Sequence, residues 1–167
     1  MEIDIGRGKK ARQAYGFDDI AIVPSRRTRD PQDVDIGWKL GPHLLELPLL
    51  GSAMDGVISP ATAIKLGELG GLGVLNLEGI FTRYEKADRE LEKIAKLTKE
   101  QATSGMQKIY ERPVEPKLIA KRIEEIKDAG VLAAGSLTPQ KVRDHYEIAR
   151  LEEGVRVESL DKVASEL

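Results

Sequence analysis

Apolar runs and helix-start signals alternate in the middle of the chain. The apolar run 47–52 is typical of a strand that is buried on both faces of a sheet. Ser59 follows as a predicted N-cap, and Pro60 as the first helical residue. A glycine pair that starts at Gly70 predicts the end of that helix, and the apolar run 72–77 predicts the next buried strand.

Helical patterns dominate the following segment. Residues 83–111 are highly charged, with apolar residues near helical spacing, so they predict one or two surface helices that are broken at 103–105. A stronger pattern predicts a helix over 115–129 that ends at Gly130. Its apolar stripe consists of three isoleucines: Ile119, Ile123 and Ile126.

The strand-to-helix joint then repeats. The small-residue run 131–135 predicts a strand, and Thr138 with Pro139 predicts the start of a helix, as Ser59 and Pro60 do earlier. Gly154 predicts its end, and 155–160 a further strand.

Residues 1–45 lack this rhythm and are predicted to form an extended arm with one short strand at 20–23. We therefore divide the chain into an arm, 1–45, and an α/β part, 46–167.

Strands that alternate with helices of about a dozen residues indicate βαβ units and a parallel sheet, because parallel strands require a crossover. A doubly wound sheet and part of a (β/α)8 barrel both fit. The glycine-rich stretch 70–73 precedes a strand, whereas a dinucleotide fingerprint follows one, so we reject a Rossmann assignment. One face of the first helix carries mainly small residues that allow close packing on a sheet: Ala63, Leu66, Gly67 and Gly70.

Composition narrows the function classes. The 167 residues are 41% apolar and 32% charged with a net charge of -2, which is typical of a soluble globular protein and not basic enough for a nucleic-acid binder. No apolar stretch approaches 18 residues, so we expect neither a membrane span nor secretion, and a cytoplasmic location. The chain contains no cysteine, which excludes disulfides, thiolate zinc sites and a cysteine nucleophile within it. We expect His43 and His145 at the surface and no metal site.

Candidate chemistry follows the first core strand, in the segment GSAMDGV at 51–57. Ligands of parallel α/β folds meet the carboxyl ends of strands. There Ser52 offers a hydroxyl, Met54 a surface for a flat ring, and Asp55 a carboxylate that orients a neighbour or a ribose. A turn serine, a core methionine and a capping aspartate remain the alternatives. The pair Asp18-Asp19 is assigned to a turn or an arm contact.

Three segments, in this order, carry a family resemblance: YGFDDIAIVPS, LPLLGSAMDGV and AIKLGELGGLGVLN. They resemble the start of the IMP dehydrogenase/GMP reductase family, especially the IMP dehydrogenase-related proteins of actinobacteria and cyanobacteria. The resemblance covers residues 1–145 and selects the barrel, so we expect the amino-terminal half of a (β/α)8 TIM barrel with an extended N-terminal arm. The charged helices at 83–116 occupy the place of the family's regulatory CBS modules.

The resemblance implies an oxidoreductase of purine nucleotide biosynthesis that oxidises IMP to XMP with NAD. The alternative activity is that of a GMP reductase, which reduces GMP and uses NADP, as NADPH, instead of NAD. In the family the Ser and Met of the S-x-M-D segment contact the nucleotide, which carries over to Ser52 and Met54; Asp55 belongs to the same motif. A monovalent cation in the full-length member and a homo-oligomer are further expectations.

Departures from the family pattern matter as well. The family's nucleophilic cysteine lies beyond the resembling part, so attack on C2 of the purine cannot be performed by this polypeptide alone. After the second strand, Asn76 and Glu78 occupy the place where the family often has His and Asn. The segment 154–167 does not show the sequence pattern of the family's fourth strand. A third hypothesis is therefore a non-catalytic half-barrel that binds a nucleotide or assembles with a second half.

Overall fold

Two units make up the chain, residues 1–35 and 36–167. A computed structural model describes residues 2–23 and 30–150. The division lies at 35/36, whereas the sequence pattern places the end of the arm at residue 45. The predicted helix end at Gly154 and the predicted strand at 155–160 lie outside the described residues.

The first unit contains a hairpin that the sequence pattern did not predict. Strand β1 (Glu2–Gly6) pairs antiparallel with β2 (Lys9–Arg12), and Gly8 takes a φ of 71° in the turn between them. The strand predicted at 20–23 is wrong: these residues pair with no strand among the described residues. An apolar run without a partner strand gains no ladder hydrogen bonds, so it remains irregular.

The turn assignment for Asp18-Asp19 is confirmed. Residues Phe17–Asp19 form one 3-10 turn, and the Asp19 carboxylate accepts a hydrogen bond of 2.9 Å from the Gly16 backbone N–H. This local bond uses the carboxylate within the turn itself.

The second unit opens with another unpredicted hairpin, β3 (Trp38–Leu40) and β4 (His43–Leu45), with Gly41 at a φ of 56° in its turn. A parallel sheet follows in the order β5 (Leu50–Gly51), β6 (Leu72–Asn76) and β7 (Ala134–Ser136). The predicted parallel α/β fold is therefore confirmed.

Helix α1 (Pro60–Glu68) begins as predicted. The Ser59 hydroxyl accepts a hydrogen bond of 3.1 Å from the Thr62 backbone N–H, and the Thr62 hydroxyl accepts one of 2.6 Å from the Ser59 N–H. Past the end of the helix, Gly70 takes a φ of 85°, which is the left-handed conformation that glycine favours. Both ends of α1 thus follow from local sequence.

The charged segment forms two helices, α2 (Ala87–Ala95) and α3 (Lys99–Glu111). The break predicted at 103–105 is wrong, since α3 runs through it and the helices separate at 96–98. A side chain at Gly105 would collide with Leu97, so this glycine provides packing space between the two helices rather than a helix end.

Helices α4 (Pro116–Asp128) and α5 (Pro139–Arg150) complete the described fold. The isoleucine stripe of α4 is buried as predicted, together with Leu75 and Leu77 of the sheet region. Close helix-to-sheet packing is also confirmed, because a Cβ atom on Gly73 would lie 2.6 Å from the Ala63 Cα atom of α1.

Strand β5 departs from prediction in one respect. It is two residues long, and Leu50 keeps 43% of its surface exposed, so the expectation of a strand buried on both faces is wrong. The reason is its position at the edge of the described sheet, where only β6 covers one side. Within residues 2–23 and 30–150, no helix is long and apolar enough to cross a membrane.

Candidate functional site

The carboxyl ends of β5, β6 and β7 lie at the same end of the sheet, which we call the carboxyl edge, because the three strands are parallel. Asn76 pairs in register with Ser136, and Ser52 directly follows Gly51 at the end of β5. Three glycines lie against side chains on one face of the sheet: Gly51 against Ile58, Gly73 against Ala63, and Gly135 against Leu77.

The polar side chains at the strand ends lie on the other face. Successive residues of a strand point to opposite faces, so Ser136, which follows Gly135, and its register partner Asn76 project from the face opposite these glycine contacts.

The loop after β5 folds into a compact turn around Met54. The Met54 N–H donates to the Ser52 carbonyl at 2.8 Å, and the Val57 and Ile58 N–H groups donate to the Met54 carbonyl at 2.8 and 2.9 Å. Ile58 is buried, whereas Ser52 is exposed and Met54 keeps 58% of its surface exposed. Met54 is therefore not core filler, and both side chains are accessible at the carboxyl edge.

Asp55 links this loop to two distant elements. Its Oδ2 atom accepts a hydrogen bond of 2.7 Å from the Ile80 N–H, the first amide of the 3-10 turn Ile80–Thr82, and another from the Tyr110 hydroxyl on α3. Its Oδ1 atom is buried and has no hydrogen-bond partner among the described residues. Asp55 thus caps the next loop of the sheet rather than its own helix.

The Tyr110 hydroxyl remains protonated over the whole neutral range. Burial of part of its side chain raises the pKa of Tyr110 far above the ordinary value, and the hydrogen bond to Asp55 and the carboxylate charge raise it further, while Arg83 lowers it. A protonated phenol beside a carboxylate is a permanent hydrogen-bond donor to Asp55.

A second carboxylate joins the loops after β6 and β7. The Glu78 Oε1 atom accepts hydrogen bonds from the Thr138 N–H at 2.7 Å and the Thr138 hydroxyl at 2.8 Å, and so caps α5 from a neighbouring loop. Asn76 supports this arrangement, because its Oδ1 atom accepts from the Glu78 N–H at 3.0 Å. The sequence alone assigns no role to Asn76 and Glu78. The only sequence signal related to this contact is the helix start predicted at Thr138-Pro139.

The histidines do not contribute to this edge. His43 is exposed, as predicted, but His145 is half-buried and its Nδ1 atom has no partner among the described residues, so the surface assignment for His145 is wrong. His145 lies on the inward face of α5, one turn from Val142 and Ile148, which pack against the core. Among the residues that the structure describes, no three His, Asp or Glu side chains group as a metal ion would require.

A small cavity lies elsewhere. Its volume is about 100 Å³, and Pro60, Phe81 and Arg122 line it, away from Ser52 and Met54. Ligand pockets for drug-sized molecules usually measure about 300 Å³ or more. The candidate site is therefore the open carboxyl edge, where Ser52 and Met54 are exposed, and not this cavity.

Comparisons with known proteins assign the chain to a family. The family model described as the IMP dehydrogenase / GMP reductase domain matches residues 14–163. A protein of Mycolicibacterium smegmatis, named as an uncharacterized oxidoreductase, is 36% identical over 146 residues, which are 84% of this chain and 39% of that protein. An inosine-5'-monophosphate dehydrogenase of Methanocaldococcus jannaschii is 40% identical over 67 residues, which are 40% of this chain and 14% of that protein. The chain thus spans about two fifths of the length of the Mycolicibacterium smegmatis protein.

The structural comparison assigns the fold. The crystal structure of an IMP dehydrogenase/GMP reductase-like protein from Corynebacterium glutamicum matches with a TM-score of 0.78 at 32% identity, over 94% of this chain and 44% of that chain. The α/β fold with its parallel sheet is accordingly part of a (β/α)8 barrel. From the ordered motifs, the parallel sheet and these matches, we conclude that the chain belongs to the IMP dehydrogenase/GMP reductase family.

Proposed function

We propose that this chain forms the nucleotide-binding part of an IMP dehydrogenase-type oxidoreductase, which oxidises IMP to XMP with NAD. The observation that supports the proposal is the exposure of Ser52 and Met54 together at the carboxyl end of β5, in a chain of this family. Binding sites of (β/α)8 barrels are built at this end of the strands.

Each side chain has a defined role in the proposal. The Met54 thioether packs against the purine ring, since a polarisable sulfur makes favourable contacts with flat aromatic surfaces. Ser52 donates or accepts one hydrogen bond at the same wall of the pocket. Asp55 holds the loop in place, because its Oδ2 atom is engaged by Ile80 and Tyr110.

The neutral polar groups of the edge fit a nucleoside. Asn76 and Ser136 add an amide and a hydroxyl on the same face of the sheet, which suit the hydroxyls of a ribose or the edges of a base. NAD, when bound, accepts the hydride; no described residue is assigned to hold it. The cysteine nucleophile and the monovalent cation belong, in this proposal, to the remainder of the complete protein. GMP reduction with NADPH stays the alternative.

Calorimetric titration of the 167-residue chain with IMP tests the proposal. We expect Met54→Ala to weaken IMP binding about tenfold, which corresponds to about 1.4 kcal/mol of contact free energy. Ser52→Ala should weaken it by a smaller factor. Met106→Ala is the matched control, since Met106 is similarly exposed but lies on α3. Unchanged IMP affinity in both Met54→Ala and Ser52→Ala would contradict the proposed roles of these two side chains.

A second candidate function is a half-barrel that assembles with a second half. It is favoured by the outer edges of β5 and β7, which carry no partner strand among the described residues, and by the exposed Leu49 and Leu50. Unpaired strand edges promote association with other strands. The intact mass from the native source and sedimentation over a dilution series test this candidate; a 167-residue chain that stays monomeric would exclude it.

A further inference from the structure

The carboxyl-terminal turn of α3 is tied to the loop after β6. The Tyr84 hydroxyl donates to the Ile109 carbonyl at 3.2 Å, and the Arg83 Nη1 atom donates to the Tyr110 carbonyl at 3.1 Å and to the Arg112 carbonyl. The last carbonyls of a helix lack partners within the helix, and a cation there also opposes the negative end of the helix dipole. Side chains from residues 83 and 84 therefore fix the end of α3.

Arg83 serves both sides of this junction. Its Nε and Nη2 atoms donate to the Glu78 carbonyl at 3.1 and 3.0 Å, so one guanidinium holds the β6 loop and the end of α3 together. A planar guanidinium presents several donors in a fixed geometry, which suits it to bridging three carbonyls. The end of α3 and the β6 loop therefore form one connected unit.

The side chain of Tyr110 extends this unit to the β5 loop. Its hydroxyl donates to Asp55, whose Oδ2 atom also accepts from Ile80. The approach depends on Gly79, because a Cβ atom there would overlap the Asp55 carboxylate. Asp55 directly follows Met54, so any change in the direction of its carboxylate is transmitted to the proposed nucleotide contact.

We propose that Tyr110 is a positioning residue for the nucleotide site, which couples the end of α3 to the loop that presents Ser52 and Met54. The ligand part of this inference rests on the proposed function, whereas the coupling rests on the contacts alone. Without the phenol, Asp55 keeps only the Ile80 amide as a donor, and its buried Oδ1 atom still has no described partner. The carboxylate then turns toward water and the Met54 turn loosens.

The Tyr110 hydroxyl is a donor at neutral pH, as any tyrosine hydroxyl is, and its raised pKa extends this role into the alkaline range. Tyr110→Phe is the informative variant, because it keeps the ring and removes only the hydroxyl. Tyr84→Phe is the matched control: it removes a phenol that bonds to the Ile109 carbonyl instead of Asp55, and the Arg83 bonds to the Tyr110 and Arg112 carbonyls still hold the end of α3.

Hydrogen exchange of the full chain without nucleotide is the first readout. We expect the Ile80, Val57 and Ile58 amides, which bond to Asp55 or to the Met54 carbonyl, to exchange about tenfold faster in Tyr110→Phe and at the native rate in Tyr84→Phe. Equal protection of these amides in wild type and Tyr110→Phe would overturn the coupling.

IMP affinity is the second readout. A loss of about tenfold in Tyr110→Phe, without a loss in Tyr84→Phe, supports the positioning role. Faster exchange with unchanged IMP affinity would overturn it, because the loosened loop would then not matter for the ligand. If the wild type binds no IMP, the proposed function fails by itself, and the exchange data still decide whether Tyr110 positions the loop.

Discussion

Helix α1 and the loops at the carboxyl edge of the sheet are stabilised by contacts of different range. The cap of α1 joins Ser59 and Thr62, three residues apart. The edge instead joins Asp55 to Ile80 and Tyr110, 25 and 55 residues apart, and Glu78 to Thr138, 60 residues apart. In each edge contact a carboxylate from one loop accepts from the amide or hydroxyl of another element.

This difference separates two tasks of the fold. Local caps and glycine contacts specify where α1 begins and how closely it packs on β6, whereas the long-range carboxylate bonds fix the relative positions of three loops. A ligand at the carboxyl edge depends on the second kind of contact, because its binding groups come from separate strands. Variants of the two kinds should therefore affect different observables.

The largest expected effect is on the packing of α1. In Gly73→Ala, the added methyl group meets backbone atoms of Ala63, which cannot rotate away, so we expect a loss of about 2–3 kcal/mol in the free energy of unfolding. Urea denaturation followed by circular dichroism measures it. Gly56→Ala is the control, since nothing lies within 4 Å of its added Cβ atom and its φ is not left-handed. Equal stability of the two variants would contradict this packing.

Removal of a long-range cap should cost less. Glu78→Ala leaves the Thr138 N–H and hydroxyl without their carboxylate acceptor, and we expect about 1.5 kcal/mol of destabilisation. Exchange of the Thr138 amide should accelerate, while amides of α1 keep their protection relative to global unfolding. Glu78→Gln retains an acceptor oxygen and should recover part of the loss; a Gln variant as unstable as the Ala variant would exclude the capping role.

Removal of the local cap is the next smaller change. Ser59→Ala should cost about 1 kcal/mol, and Ser59→Asp should restore most of it, because aspartate also accepts from the N3 amide. The same urea titration measures both variants. IMP affinity should stay unchanged in Ser59→Ala, since the carboxylate bonds of the edge remain; a parallel loss of affinity would show that the two kinds of contact are not separable.

The sequence separation of the contacts also explains which elements could be predicted from the sequence. Ser59-Pro60, Gly70 and the isoleucine stripe of α4 carry local signals, and the corresponding elements were predicted correctly. Gly105 gave the same local signal as a helix end, but the space that Leu97 occupies decides its role, and that space is a tertiary property. The β1–β2 hairpin was missed because its charged residues mask a short apolar alternation.

For the candidate site, sequence located the loop but not its connections. The motif and its place after a strand identified Ser52, Met54 and Asp55, whose roles toward a nucleotide stay predictions. Tyr110 and Glu78 could not be linked to this edge, because nothing in a single sequence relates residues 55 or more positions apart. Their contribution follows from the topology of the sheet and the helices that surround it.

The smallest expected effect concerns the pH dependence of the Tyr110 contact. The pKa of Tyr110 is raised in the folded chain, so its hydroxyl bond stabilises the fold fully below the unfolded value, about pH 10, and is lost as pH rises through the folded value. The difference in unfolding free energy between wild type and Tyr110→Phe should therefore be constant near neutral pH and shrink above about pH 10. Asp55→Asn removes the carboxylate charge and should weaken this dependence. A difference that grows at alkaline pH would mean that the phenol does not act as a donor to Asp55.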